Sequence, residues 1–220
     1  MGANIFFLTK VLTKDYIEDS VKSRIITIID NAIQFFLKYE QQINEKIFSF
    51  YPVKMEYEDY VNKNIVIQNS RLGWCYGDLG ILYTLLFASK KIHNESYVSK
   101  IVEMLKHVAS RKFEDENHKK FIIDAGFCHG TSGIAILFRN IYDITGDDLF
   151  LKTSNYWIEK TLVQRKKEQG EDSIDYGLDI KGTDKQNISV LEGLAGILLC
   201  YNKFLGKDTT ASEELLMIKY

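Results

Sequence analysis

The chain has 220 residues, 45% of them hydrophobic and 26% charged, with a formal net charge of −2. That is enough apolar material for one substantial core, and without a basic excess nucleic acid is not an expected partner. No apolar run approaches the roughly 20 residues that span a bilayer, and residues 5–8 are too short for a signal-peptide core. Three cysteines, an odd number without framework spacing, point to reduced thiols and a cytoplasmic protein rather than to disulfides.

The pattern along the chain is helical nearly throughout, with Pro52 the single proline. Gly2-Ala3-Asn4-Ile5-Phe6-Phe7-Leu8 opens the chain with a short apolar helix. Residues 16–39 place Ile17, Val21, Ile25, Ile28, Ile29, Ala32, Ile33 and Phe36 at spacings of three and four, which predicts an amphipathic helix lying on a core. A polar connection follows over 51–70. An all-round apolar run at 81–88 predicts a buried helix. A second amphipathic face carries Tyr97, Ile101, Met104, Leu105 and Val108; a second buried run spans 134–141; a third amphipathic face carries Phe150, Leu151, Tyr156, Trp157, Ile158 and Leu162. After a polar connection over 166–189 comes a last apolar run at 197–205. Buried and amphipathic helices alternate, so the expected fold is all-α: one domain over 1–220, built as an array of helical hairpins with an inner and an outer layer.

Each buried run has the same entrance. Gly77-Asp78-Leu79-Gly80-Ile81, Gly130-Thr131-Ser132-Gly133-Ile134 and Gly193-Leu194-Ala195-Gly196-Ile197 are copies of Gly-x-x-Gly-Ile, about 53 and about 63 residues apart. Ahead of the first stands Trp74-Cys75-Tyr76, and ahead of the second Cys128-His129. Cys75, Cys128 and His129 thus come to equivalent helix mouths, and two thiols with an imidazole form a zinc site whose fourth tetrahedral position is open. Such a site activates a bound thiol. A lone buried cysteine is more often packing, which is the reading for Cys200 on the last inner run. Asp78 and Glu192 read as solvated capping residues, and His93, His107 and His118 as solvated side chains in polar surroundings.

The Trp-Cys-Tyr-Gly element, the Cys-His-Gly element and the closing Leu191-Glu192-Gly193-Leu194-Ala195-Gly196-Ile197 resemble the signature of the lanthionine synthetase C-like family, the cyclases of lanthipeptide biosynthesis. The resemblance implies an (α/α) toroid of seven inner helices ringed by seven outer ones. The whole of this chain would correspond to the carboxy-terminal part, about the last three to four of the seven hairpins. It also implies that Cys75, Cys128 and His129 are the zinc ligands and that Arg71 and Tyr76 stand where the family has an active-site arginine and tyrosine. The family's active-site histidine, in a His-Gly pair opening the fourth inner helix, and an acidic residue upstream of it have no counterpart here, so the expectation is a piece of a longer cyclase.

The chemistry implied is addition of a cysteine thiol of a precursor peptide to dehydroalanine or dehydrobutyrine, closing a thioether ring. The partners would be the dehydrated precursor peptide and a lanthipeptide dehydratase that prepares it. Zn2+ would deprotonate the attacking thiol, and the enolate that forms needs a positive or hydrogen-bonding neighbour, for which Arg71 and Tyr76 are suited. Two other functions fit the same residues: transfer or binding of a small thiol of the glutathione kind, and a non-catalytic helical scaffold.

Overall fold

The computed structural model describes residues 2–54, 56, 58, 61–62, 68–115, 124–165, 175–180 and 185–220. Among them are eight helices, no strand, and one isolated antiparallel bridge between Asp179 and Gln186. The all-α expectation therefore holds. The chain divides into two compact units, Met1–Arg71 with Tyr76–Val108, and Leu72–Cys75 with Ala109–Tyr220. No helix among the described residues is long and apolar enough to cross a membrane.

The first unit holds α1 (Gly2–Leu12), α2 (Asp19–Lys38), α3 (Asp78–Lys91) and α4 (Glu95–Ala109). α3 has the inner-helix character its sequence predicts, with ten of its fourteen residues buried. Its leucines and Phe87 each contribute about 2 kcal/mol by leaving water. α1 and α2 both pack on it; the Phe6 ring of α1 lies 4.6 Å from that of Phe87 and 6.2 Å from that of Tyr83. α2 buries only Ile25, Ile29 and Ile33 of its twenty residues. That stripe is narrower than the eight apolar positions suggested, since Val21 and Ile28 are exposed, and it makes α2 an outer helix. α4 turns Val98, Ile101, Met104, Leu105 and Val108 inward.

The expectation for Asp78 fails. Asp78 is fully buried, not solvated, and its Oδ2 and Oδ1 accept the backbone N–H groups of Phe50 and Tyr51, each at 2.9 Å. The carboxylate at the start of α3 thereby anchors the loop that follows α2, and burial together with the charges of Asp78 and Glu40 pushes the phenol of Tyr51 far above its ordinary value.

The second unit holds α5 (Thr131–Thr145), α6 (Asp148–Val163), α7 (Leu194–Phe204) and α8 (Thr210–Leu215). α5 is its inner helix, with ten of fifteen residues buried, and both α6 and α7 pack on it. α5 ends at Gly146, whose φ of 69° is left-handed, and Asp147 then caps α6 by accepting from the Leu149 N–H at 3.0 Å. α6 meets the core through Phe150 and Trp157 as expected, but otherwise through Thr153, Ser154 and Thr161 while Leu162 is exposed. These hydroxyls are satisfied where they lie: Thr153 and Ser154 donate to the Leu149 and Leu151 carbonyls of their own helix, and Thr131, at the mouth of α5, accepts from Thr161 at 2.9 Å and from Gln164 Nε2 at 2.8 Å.

α7 is enclosed on one side only: Leu198 and Leu205 are exposed, against the all-round burial its sequence suggests. Cys200 on its covered side is fully buried, donates to the Ser132 carbonyl at 3.2 Å and has its thiol pushed up by burial. α8 was not foreseen from the apolar pattern, because what holds it is polar. Its Glu213 is 1% exposed, accepts from Lys203 Nζ at 3.0 Å on both oxygens and from the Thr209 hydroxyl, while Asn140 of α5 donates to the Ile218 carbonyl at 2.9 Å.

Replacing Asp78 by Ala leaves two buried N–H groups without their charged acceptor. Denaturant unfolding is expected to show a loss of about 3 kcal/mol, whereas a loss below about 1 kcal/mol would mean that the loop is held by something else.

Candidate metal centre

The site is assembled from three loops of the second unit, each just ahead of a Gly-x-x-Gly motif. The Trp74 N–H donates to the Cys128 carbonyl at 2.9 Å, and the Cys128 N–H donates to the Leu191 carbonyl at 2.7 Å. Backbone bonds thus run from the first loop to the second and from the second to the third, and they fix the height at which each side chain leaves its loop. The Trp74 ring packs with its centroid 6.0 Å from that of Phe127, the residue ahead of Cys128.

Glycine is obligatory at these mouths for space as well as for angle. A Cβ on Gly77, whose φ is +116°, would fall 1.9 Å from the Arg71 carbonyl oxygen, and one on Gly133 would fall 1.7 Å from that of Phe127. The carbonyl chain turns so tightly over each helix entrance that no side chain fits beneath it.

This frame brings Cys75, Cys128 and His129 together. Their ligand atoms all lie within 4.8 Å of one another, with Cys75 Sγ 2.7 Å from Cys128 Sγ and 3.6 Å from the Cys128 carbonyl oxygen. Cys75 is exposed and Cys128 buried, so the pair spans the boundary between solvent and core. Two soft thiols and a borderline imidazole, converging with one of them open to solvent, match the donor set that zinc prefers and leave room for an exogenous ligand. The residues present therefore fit a metal ion of that kind.

Electrostatics favour the thiolate even without an ion. The Cys128 S–H donating to Cys75 is the largest influence and the His129 imidazole adds to it; together they outweigh partial burial and bring the Cys75 thiol down to about 6. The remaining predicted residues are more dispersed. Arg71 and Tyr76 bracket the Leu72–Cys75 segment in sequence but belong to the first unit; Tyr76 is 64% exposed. His93 is exposed as expected, and Glu192 likewise. His107 departs from expectation, being half-buried with its ring centroid 5.3 Å from that of Phe50. His118 lies outside the described residues, as do parts of both long polar connections.

One residue escaped the sequence reading. Asp124 Oδ2 stands 3.7 Å from His129 Nε2, and its Oδ1 accepts the Gly126 N–H at 2.7 Å. The signal was available in outline: Asp124 and Asn187 stand six residues ahead of Gly130 and Gly193, so both copies carry a turn-forming side chain at the same place.

In metal-free protein, alkylation of Cys75 by iodoacetamide is expected to rise with pH with a midpoint at about 6 and to level off by neutral pH, where the reactive thiolate is fully formed. A midpoint near the free-thiol value of about 8.5 would show that Cys128 and His129 do not stabilise it.

Known proteins bear on the same residues. A family model described as Lanthionine synthetase C-like protein matches residues 8–217. The nisin biosynthesis protein NisC of Lactococcus lactis subsp. lactis is 28% identical over 152 residues, which is 66% of this chain and 31% of that protein. The solved structure of nisin cyclase superposes with a TM-score of 0.70 at 20% identity, over 99% of this chain and 48% of that one. The chain thus spans less than half the length of either relative, and the structural likeness is one of fold. With the family match running through nearly all of its residues, the chain belongs to the lanthionine synthetase C-like family.

Proposed function

We propose that this chain carries the thiol-activating centre of a zinc-dependent lanthionine synthetase, which adds cysteine thiols of a dehydrated precursor peptide to dehydroalanine or dehydrobutyrine to form thioether rings. The observation that carries the reading is the convergence of Cys75, Cys128 and His129 within 4.8 Å on three hydrogen-bonded loops, in a chain of this family.

Zinc held by these three residues would supply a fourth position for the substrate sulfur and keep it deprotonated at neutral pH. Cys75 and Cys128, as thiolates, and His129, as a neutral donor, would hold the ion and leave a sulfur at the open position electron-rich enough to attack. The proton that the attacking thiol releases to solvent balances the one that the enolate carbon takes up from it. Arg71 and Tyr76, on either side of the Leu72–Cys75 segment, are the proposed catalytic residues: the guanidinium offsets the charge that develops on the acceptor's carbonyl oxygen, and the phenol donates a hydrogen bond to it. The exposure of Tyr76 supports a residue that meets substrate.

On this reading residues 1–220 are the carboxy-terminal part of one toroid domain. A lanthipeptide dehydratase supplies the unsaturated residues, and the reaction belongs in the cytoplasm, where thiols stay reduced.

Elemental mass spectrometry on dialysed protein is expected to give about one zinc per chain, in keeping with a three-ligand site, and much less for Cys128→Ala. A folded chain without zinc would overturn the proposal. Thiol addition leaves peptide mass unchanged, so turnover is followed by loss of alkylatable cysteine in a dehydrated precursor. Arg71→Ala is expected to slow that loss by about 10²-fold at unchanged zinc content.

A further inference from the structure

We infer that Asp124 is a positioning residue for the metal centre, its Oδ2 accepting from the Nε2–H of His129 and so presenting Nδ1 to the ion. This rests on the metal-site reading given above. Nε2 is the imidazole nitrogen that faces Asp124, at 3.7 Å from Oδ2, with the two side chains 24% and 30% exposed. That separation is longer than a hydrogen bond, and with an ion on Nδ1 the pair would close to the roughly 2.8 Å of a charge-assisted hydrogen bond.

The rival explanation is that Asp124 merely forms its turn, and the repeat supplies an internal control. Asn187 occupies the same place in the next loop. Its Oδ1 accepts the Ser189 N–H at 2.9 Å and its carbonyl accepts the Leu194 N–H at 2.9 Å. Asp124 repeats both bonds, to Gly126 at 2.7 Å and to Thr131 at 3.1 Å. Asn187 Nδ2 also donates to the Glu192 carbonyl at 3.3 Å, a bond a carboxylate cannot make, so what the two turns share is one side-chain oxygen, which an amide provides. The second oxygen of Asp124 is surplus to the turn, and it is the one directed at His129.

The two turns crowd their glycines alike: a Cβ on Gly130 would come within 2.5 Å of the Asp124 carbonyl oxygen and within 2.4 Å of its Oδ1, and one on Gly193 within 2.3 Å of the Asn187 carbonyl oxygen, so the backbone frame is common to both copies and the carboxylate is what differs. The chemistry explains the arrangement. A neutral imidazole ligates through one nitrogen and keeps its proton on the other, so an acceptor at the far nitrogen fixes tautomer and orientation and raises the donor strength of the first. An amide at position 124 has only one oxygen and would set an NH2 against the N–H.

The test is Asp124→Asn in the full chain. With a chromophoric chelator as competitor, Zn2+ and Co2+ affinity is expected to fall about 10- to 100-fold and the visible bands of bound Co2+ to shift, while the metal-free melting temperature stays at the wild-type value. Unchanged affinity and bands would overturn the inference. Should the variant melt early, long-range proton–nitrogen correlation on zinc-loaded wild-type protein decides instead. A protonated Nε2 with metal on Nδ1 supports the inference, and the opposite tautomer overturns it. Wild-type protein that binds neither ion would sink the metal-site reading itself, which separates that failure from this one.

Discussion

The backbone bonds that tie the 72–75, 124–130 and 187–193 loops together are what the candidate site depends on. The Trp74 N–H reaches the Cys128 carbonyl and the Cys128 N–H reaches the Leu191 carbonyl, so Cys128 is held from both sides and Cys75 is brought to it. A thiol carried on a free loop would lose about 1 kcal/mol or more of ordering entropy for each residue fixed on binding an ion. Here the loops are ordered by bonds to one another, and by glycine mouths so tight that the carbonyl of residue 127 occupies the space of a side chain on Gly133.

Behind two of the three mouths, the first helical residue carries a buried polar group that organises its surroundings. Asp78 collects two backbone N–H groups from the loop after α2, and Thr131 accepts from Thr161 and Gln164 of α6. Inner helices of this kind are apolar along their length and polar at the entrance, where a satisfied hydrogen bond fixes how the neighbouring segment is docked. Glu213 does the same at the other end of the second unit, joining α8 to Lys203 of α7.

The site itself grades from core to water. Cys128 is buried and Cys75 exposed, with the imidazole of His129 between a thiol pair and a carboxylate. The thiol open to solvent has its charged form favoured by Cys128 and His129, as the proposed admission of an outside sulfur would require. The chain belongs to the lanthionine synthetase C-like family and shares the helical fold of nisin cyclase.

The all-α fold, the three repeated helix entrances and the Cys75, Cys128, His129 cluster were legible in the sequence because each is a local pattern: apolar spacing sets the helices, Gly-x-x-Gly marks where chain and helix crowd, and the two thiols and the imidazole stand at equivalent helix mouths. Tertiary structure decided what depends on partners distant in sequence. Asp78 is buried because the N–H groups of Phe50 and Tyr51, 28 and 27 residues away, converge on it. α6 turns Thr161 inward where Thr131 meets it, and α8 is held where a buried Glu213 finds Lys203. Asp124 could be read from sequence only as a turn former. That its second oxygen faces His129 is a matter of where the loop folds back, which no local pattern specifies.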